Sequence, residues 1–439
     1  MQAGANSPPI HSLPYELLRD ILLFALTPKK CIWGSLLLPP RSCDVLILCR
    51  VCSAWRQIAL ETSRLWAIPR LPVMNRMGYM STTATNLFLE RSGQHLLHVD
   101  ICPLWPTQSI QLPPTLGKAS DRWESFSLQY YTTGLSVAEV NALRILSQSR
   151  WANLITIDIW VAHADNWPGT MLDFMPAKQL RQVSLNVPAE LPIPAIPWAQ
   201  LTRLSLIHPS AQVCLEILSS CRNVIHAYIS TSQSSDVNRP TLATPVTLEH
   251  LVDLELCLHV HSPEEHVEPF LQLFSAPSLI SLHLSVDGGS YSELSPISRL
   301  HSHLVSFIHH SPKLRQLVLA NFTPPEVILS ILRQTPMLVS LHIGATHVNR
   351  DFMLGLSISR KSQSIVPKLK KLVLMNLSAT SDFPFAEFIT MVEARQPGTI
   401  LAEVVVENEC LQSHWCPTPE FLDFKHRVYL KGLDLRFLL

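Results

Sequence analysis

Apolar positions near the start of the chain recur at helical spacing. In "HSLPYELLRDILLFAL" the residues Leu17, Leu18, Ile21, Leu22 and Ala25 fall at steps of three and four, Ser12 stands where a cap belongs, Pro14 sits near the first turn, and Thr27-Pro28 stops the run. A loop follows in "KKCIWGSLLLPPRS", marked by Gly34 and Pro39-Pro40 although much of it is apolar. From Asp44 the spacing predicts a second helix with Leu48, Val51, Cys52, Trp55 and Ala59 on one face. "TSRLWAIPRLP" then closes the region in a short turn that folds Leu65 and Trp66 back onto the helices.

From residue 93 onward the texture changes to a recurring Leu-x-x-Leu-x-Leu, with other apolar residues substituting. It runs from Leu96-Val99-Ile101 and Trp123-Phe126-Leu128 through Leu251-Leu254-Leu256 to Leu401-Val404-Val406 and a weaker Leu430-Leu433-Leu435. The steps average roughly 28 residues, within the range of leucine-rich repeats. A single copy means little in an apolar chain. The stronger signal is a proline two residues before the first leucine in four consecutive copies, at Pro277, Pro312, Pro336 and Pro367. Helical patterns separate the strands: "SVAEVNALRILSQS", "SAQVCLEILSSC", "EEHVEPFLQLF", "SRLHSHLVSFIHH", "FAEFITMVEAR", and "TPPEVILSILRQ", where Thr323 and Glu326 form a capping box. Strand, loop and helix in alternation, each unit too small to stand alone, predict an irregular solenoid.

The period of two along a strand separates core from recognition surface. If the leucines of Leu-x-Leu point inward, the residues between and beside them line the concave face of a parallel sheet. That face would carry Asp100, Asp158, Trp160, Tyr228, Asp253, Glu255, His283 and His342 as target-binding candidates, with His98, Gln129, Arg203, Ser205, His226, Lys371 and Val373 beside them. Acidic groups dominate through Glu255 and Lys371 lies late, which predicts a charge gradient. Trp160 and Tyr228 are natural anchors for a partner, unless they pack on neighbouring loops.

Composition narrows the function classes. Hydrophobic residues make up 47% and charged ones 15%, which excludes a disordered chain, and 34 basic against 34 acidic residues leave no field to collect nucleic acid or an anionic membrane. No apolar run reaches membrane-spanning length, and the N-terminus carries no signal-peptide pattern, so a cytoplasmic or nuclear protein is expected. The 10 cysteines then read as reduced thiols in apolar positions. Cys49-x-x-Cys52, with Cys31 and Cys43 upstream, lacks the second paired cluster of a structural zinc site, so no metal is expected. The histidines of "HVHSPEEH" and "HSHLVSFIHH" fall at exposed repeat positions. No phosphate loop, nucleophile elbow or His-Glu-x-x-His pair is present, so neither a cofactor nor catalysis is expected.

Taken together, Leu13-Pro14-Tyr15-Glu16-Leu17, Ile21, Val51-Cys52-Ser53-Ala54-Trp55-Arg56 and Leu65-Trp66 resemble an F-box, and the rest resembles leucine-rich repeats, as in many fungal F-box proteins. The segment from Lys29 to Cys43 is longer than the compact F-box loop. The resemblance implies an α+β chain: a flexible stretch over 1–9, a small three-helix F-box over 10–68, a linker over 69–92, and an irregular α/β leucine-rich-repeat solenoid with a parallel concave sheet and a C-terminal cap over 93–439. It also implies a non-catalytic substrate receptor of a cullin-RING ubiquitin ligase, docked on a Skp-type adaptor and through it a cullin, with the repeats holding a protein target. Leu13, Pro14, Leu17, Ile21 and Val51 are then adaptor contacts, and Leu22, Cys52, Trp55, Leu65 and Trp66 the F-box core. The alternative is a repeat-based scaffold acting without a ligase, its N-terminal helices capping the solenoid.

Overall fold

The proline before each leucine turns out to set a turn. The structure, a computed structural model, describes residues 13–26, 42–67, 70–72, 82–101, 114–130, 146, 148–162, 172–189, 191–208, 210–232, 245–259, 270–286, 298–320, 325–344, 348–357, 365–375, 384–395, 401–407, 419–430 and 433–438. In it the Leu279, Leu314, Leu338 and Leu369 amides donate to the carbonyls of Ala276, Ser311, Thr335 and Val366, at 3.0, 3.1, 3.1 and 3.2 Å. Each proline therefore occupies the second position of a β-turn, where its fixed φ is favourable. The turn buries the first leucine and launches the strand.

The chain divides into two units, residues 1–197 and 198–439. The first begins with α1 (Tyr15–Ala25), α2 (Ser42–Val51), α3 (Ser53–Glu61) and α4 (Ser63–Ala67). These are four helical segments where three were expected. The periodicity through Val51-Cys52 predicts one helix, but Cys52 is extended at φ −159° and ψ 174°, and its Sγ accepts from the Trp55 amide at 3.4 Å. Cys52 is thus the N-cap of α3, in the place a serine or aspartate would usually take.

β1 (Arg70–Pro72) and α5 (Thr82–Arg91) follow, inside the segment expected to be linker, then β2 (Leu97–Ile101), α6 (Pro114–Lys118), β3 (Trp123–Tyr130), β4 (Thr156–Val161) and β5 (Gln182–Asn186). β1 pairs parallel to β2, with Leu71 opposite Val99. In the first expected repeat Leu97, not Leu96, is buried: a register shift between Leu97 and His98 sets Leu97 opposite Trp123. From there Val99, Phe126, Ile157 and Val183 align in one row. Behind this sheet Trp123, Phe126, Trp151 and Phe174 form an aromatic core, with Trp151 and Phe174 centroids 5.1 Å apart.

The second unit runs β6 (Arg203–Ile207), α7 (Ala211–Ser220), β7 (His226–Ser232), β8 (Val246–Thr247), β9 (Asp253–His259), β10 (Phe274–Ser275) and β11 (Ser281–Val286). It continues with α8 (Ser298–His309), β12 (Gln316–Ala320), α9 (Pro325–Arg333), β13 (Ser340–Gly344), α10 (Arg350–Leu356), β14 (Lys371–Met375), α11 (Phe385–Arg395), β15 (Glu403–Glu407), α12 (Pro419–Leu430) and β16 (Asp434–Leu438). The sheet is parallel and open, with strands from β6 to β16 in chain order, save that β8 and β10 form a separate short pair. Leu254, Leu282, Leu317, Leu341, Leu372 and Val404 stand in one buried row. Each such leucine contributes about 2 kcal/mol. The row ends on Leu435 rather than Leu433, so the last expected repeat is displaced by one strand period.

Side-chain caps start two further helices: the Ser210 Oγ accepts from Val213, and the Asn349 Oδ1 accepts from Phe352 at 2.8 Å. The helix expected at "SVAEVNALRILSQS" and the capping Thr323 lie outside the described residues or nearly so. Among the described residues no helix is long and apolar enough to cross a membrane.

Candidate functional site

The residues singled out in sequence fall on two kinds of surface. In the N-terminal helices Leu18, Leu22, Val45, Ile58, Ala59, Leu65 and Trp66 are buried, where α1 packs on α3 and α4 and α2 on α3. Trp66 donates from Nε1 to the Ala59 carbonyl at 2.7 Å, and its ring meets Phe88 of α5 edge-on at 5.0 Å. The Arg91 guanidinium lies 4.4 Å from the same ring. Leu22, Leu65 and Trp66 are therefore interior, whereas Cys52 and Trp55 are half-buried.

The outside of these helices is apolar as well. Leu17 and Leu18, expected on one side, separate: Leu18 and Leu22 turn inward, while Leu17, Ile21 and Phe24 form an exposed stripe at i, i+4 and i+7. Phe24 is 82% exposed and Val51 55%. Pro14 is exposed and Leu13 half-buried. Tyr15, Leu46, Ile47 and Leu60 add further exposed apolar surface. Phe24 and Ile47 were missed in sequence, although Phe24 completes the Leu17-Ile21 stripe and Ile47 lies one turn before Val51. Cys49 carries a thiol pushed up by burial, against the pull of Arg91 and Arg56. Cys31 is outside the described residues, and among those described no three metal-ligating side chains converge.

On the sheet of the first unit, Asp100 and Asp158 stand in register on either side of Ser127. Ser127 is 4% exposed, and its Oγ is buried without a hydrogen-bond partner among the described residues. One step along, Trp160 is 40% exposed and in register with Gln129 and Asn186. One step the other way, His98 shares a 2.8 Å hydrogen bond with the Ser125 hydroxyl and stands 3.9 Å from Glu124.

On the sheet of the second unit, Tyr228, Glu255 and His283 stand in one row on β7, β9 and β11. Glu255 Oε1 lies 3.1 Å from His283 Nδ1 and accepts from Cys257 Sγ at 3.7 Å. The His283 hydrogen bond holds the Glu255 carboxyl below its ordinary value, against the opposing effect of burial. Tyr228 is pushed up to about 12, first by burial, then by Cys257 and Glu255 beside it, so it stays a phenol. Asp253 faces His226 at 3.7 Å on the adjoining strand. His342 is apart from this group, two strands from His283, with buried Val318 between them.

Toward the end of the array Lys371 Nζ pairs with Glu403 at 3.2 Å, and Arg436 reaches Glu403 at 3.9 Å as well as Asp434. The expected gradient from acidic to basic is therefore balanced locally. His342 is lowered to about 4, by burial first and then by Lys371 and His283, with Glu403 acting against them. Of the remaining histidines, His301 and His303 on α8 bond to Ser330 at 2.9 Å and Gln272 at 2.8 Å. Among the described residues the strands present two polar surfaces and the N-terminal helices an apolar one. No protein-family model and no curated protein sequence matches this chain.

Proposed function

We propose that the chain is the substrate-recognition subunit of a Skp-cullin-F-box type ubiquitin ligase, acting in the cytoplasm or nucleus, whose N-terminal helices dock on a Skp-type adaptor and whose repeats hold a protein target. The observation that carries this reading is the apolar exterior of α1 and α2, with Leu17, Ile21, Phe24, Ile47 and Val51 in solvent while Leu18, Leu22, Leu65 and Trp66 fill the interior. Small helical modules hide such side chains unless a partner covers them. The sheet rows, with Asp100, Asp158 and Trp160 in one unit and Tyr228, Asp253, Glu255, His283 and His342 in the other, supply the polar and aromatic groups a protein partner engages.

The packing of Trp66 on Phe88, together with the 3.1 Å contact between Ser63 and His95, favours a second reading. Helices joined to the first repeat in this way also suit a scaffold without a ligase. Copurification of adaptor and cullin with a Leu17→Asp, Val51→Asp double variant separates the two. Both side chains are exposed, so the melting temperature should hold. Under the receptor reading adaptor binding weakens roughly a hundredfold. Unchanged recovery of adaptor and cullin, or none even with the native chain, leaves the scaffold reading standing.

A further inference from the structure

The sheet of the first unit carries a feature that a general protein-binding surface does not require. Ser127 has a short side chain between two longer carboxylate side chains in the same row, so its position is a notch with acidic walls. Strand spacing sets those walls roughly 10 Å apart at the backbone, wide enough for one guanidinium or ammonium group. The Ser127 hydroxyl stands in the row between the two carboxylates, closed off from solvent and without a hydrogen-bond partner among the described residues, so it is an acceptor reached once those side chains part around a cation. At the lip lies Trp160, the exposed aromatic ring in the adjoining row.

The charge on this face is mainly acidic, with His98 beside Glu124 as its one basic group. Among the strand residues of β2 to β5 there is no lysine or arginine, while Glu124 adds to Asp100 and Asp158. Asp100, Asp158 and Trp160 make other interactions too, so an incoming cation joins an existing network. Arginine suits this set better than lysine. Its planar fork reaches several acceptors at once, and its face stacks on indole.

We infer that this notch is a subsite for an arginine side chain on an extended segment of the target protein, with the guanidinium between Asp100 and Asp158 over Ser127 and against Trp160. This rests on the reading that the sheet meets a protein partner, and it is independent of adaptor docking.

The test pans a random phage-displayed peptide library on the full chain and compares each selected peptide with a version in which citrulline replaces arginine. Arginine should be enriched, and citrulline should weaken binding roughly tenfold, as expected on loss of charge-assisted hydrogen bonds. Ser127→Val closes the acceptor while keeping both carboxylates, and should remove the preference. Should that variant fold poorly, Ser184→Arg, next to Asp158 in the same row, places a guanidinium of the chain itself at the notch and should have the same effect. Glu249→Gln, an exposed carboxylate in the other unit that lies just before β9 and off the strand rows, should leave the preference intact. Enrichment of acidic or purely apolar peptides, an absence of any enrichment, or an arginine preference that survives both notch variants overturns the inference. Adaptor copurification is scored on the same preparations, so loss of the adaptor with retained arginine preference counts against the ligase reading alone.

Discussion

The two units treat charge on their sheets in different ways. From β2 to β5 the exposed rows carry carboxylates, hydroxyls, amides and a tryptophan, with His98 beside Glu124 as the one basic group and no lysine or arginine among those strand residues. From β7 to β16 acids and bases sit on adjoining strands and meet, as Asp253 with His226, Glu255 with His283, and Lys371 and Arg436 with Glu403. The interiors differ in the same sense. The first unit fills its core with Trp123, Phe126, Trp151 and Phe174, whereas the second is built on aliphatic rows and encloses a charge, Arg395. A surface that pairs its own charges fixes register but offers a partner little electrostatic gain. A surface of one sign attracts.

The comparison breaks hardest at Arg395, where the second unit's self-sufficiency is deepest. This side chain is 1% exposed and donates from Nε to the Leu356 carbonyl at 2.7 Å, from one terminal nitrogen to Val366 at 3.2 Å, and from the other to Ile365 at 2.7 Å. One side chain thereby ties the end of α10, the turn before β14 and α11 together. Val366 sits at φ +48°, a costly conformation for a β-branched residue, so its turn depends on outside support. Arg395→Met keeps an unbranched apolar stem, though a shorter one, and removes every donor. It should cost about 3 kcal/mol, because buried carbonyls lose their partners, and denaturant unfolding would show it. A loss below about 0.5 kcal/mol would mean that the carbonyls find water and that the enclosed charge is dispensable.

This arginine also marks where sequence stops being legible. At the end of an amphipathic helix Arg395 looks like an ordinary surface residue, since the carbonyls that require it come from segments 29 to 39 positions earlier. The strand rows were legible because their signal is local: an apolar period of two, a proline turn, and a fixed step. Hence Leu282, Leu317, Leu341 and Leu372 align as expected. β1 was lost although Ile68-x-x-Leu71-x-Val73 fits the same template, because one short proline-flanked copy carries no weight. The shift from Leu96 to Leu97 and the break at Cys52 are backbone events that leave the hydrophobic pattern unchanged. As for the candidate sites, period alone assigned Asp100, Glu255 and His283 to the exposed side of strands. The pairing of Glu255 with His283, and the position of Ser127 between two carboxylates, depends on which strand adjoins which.

A smaller effect tests whether the second unit is tuned for neutral pH. The folded value of His342, about 4, lies below that of an unfolded histidine. As pH falls below about 6.5 the unfolded chain takes up a proton that the folded chain refuses, so stability declines until pH reaches about 4 and then levels off. Partial exposure limits the loss to roughly 1–2 kcal/mol. Glu255, held below its ordinary value by His283, adds a second decline at more acid pH, through the range where unfolded glutamates protonate. His342→Gln should abolish the step between pH 6.5 and 4 in urea-unfolding midpoints and leave the more acid one. An unaltered pH profile in that variant would place the acid sensitivity elsewhere.

The smallest change separates charge pairing from stability. Lys371 and Glu403 lie 3.2 Å apart with both side chains partly exposed, a geometry that contributes about 0.5 kcal/mol at most. Lys371→Met should therefore hardly move the unfolding midpoint, and added salt should erase even that difference. Its effect on His342 should be plainer. The Lys371 ammonium disfavours a second positive charge nearby, while Glu403 favours one, so removing the lysine raises the imidazole's titration toward that of a free histidine. Burial is the larger cause and remains, so the value should stay below 6.5. Histidine resonances followed by NMR across the acid range would report this directly. A titration that does not move when Lys371 is replaced would show that burial alone depresses His342, and that the charges paired on this sheet act on their immediate partners and no farther.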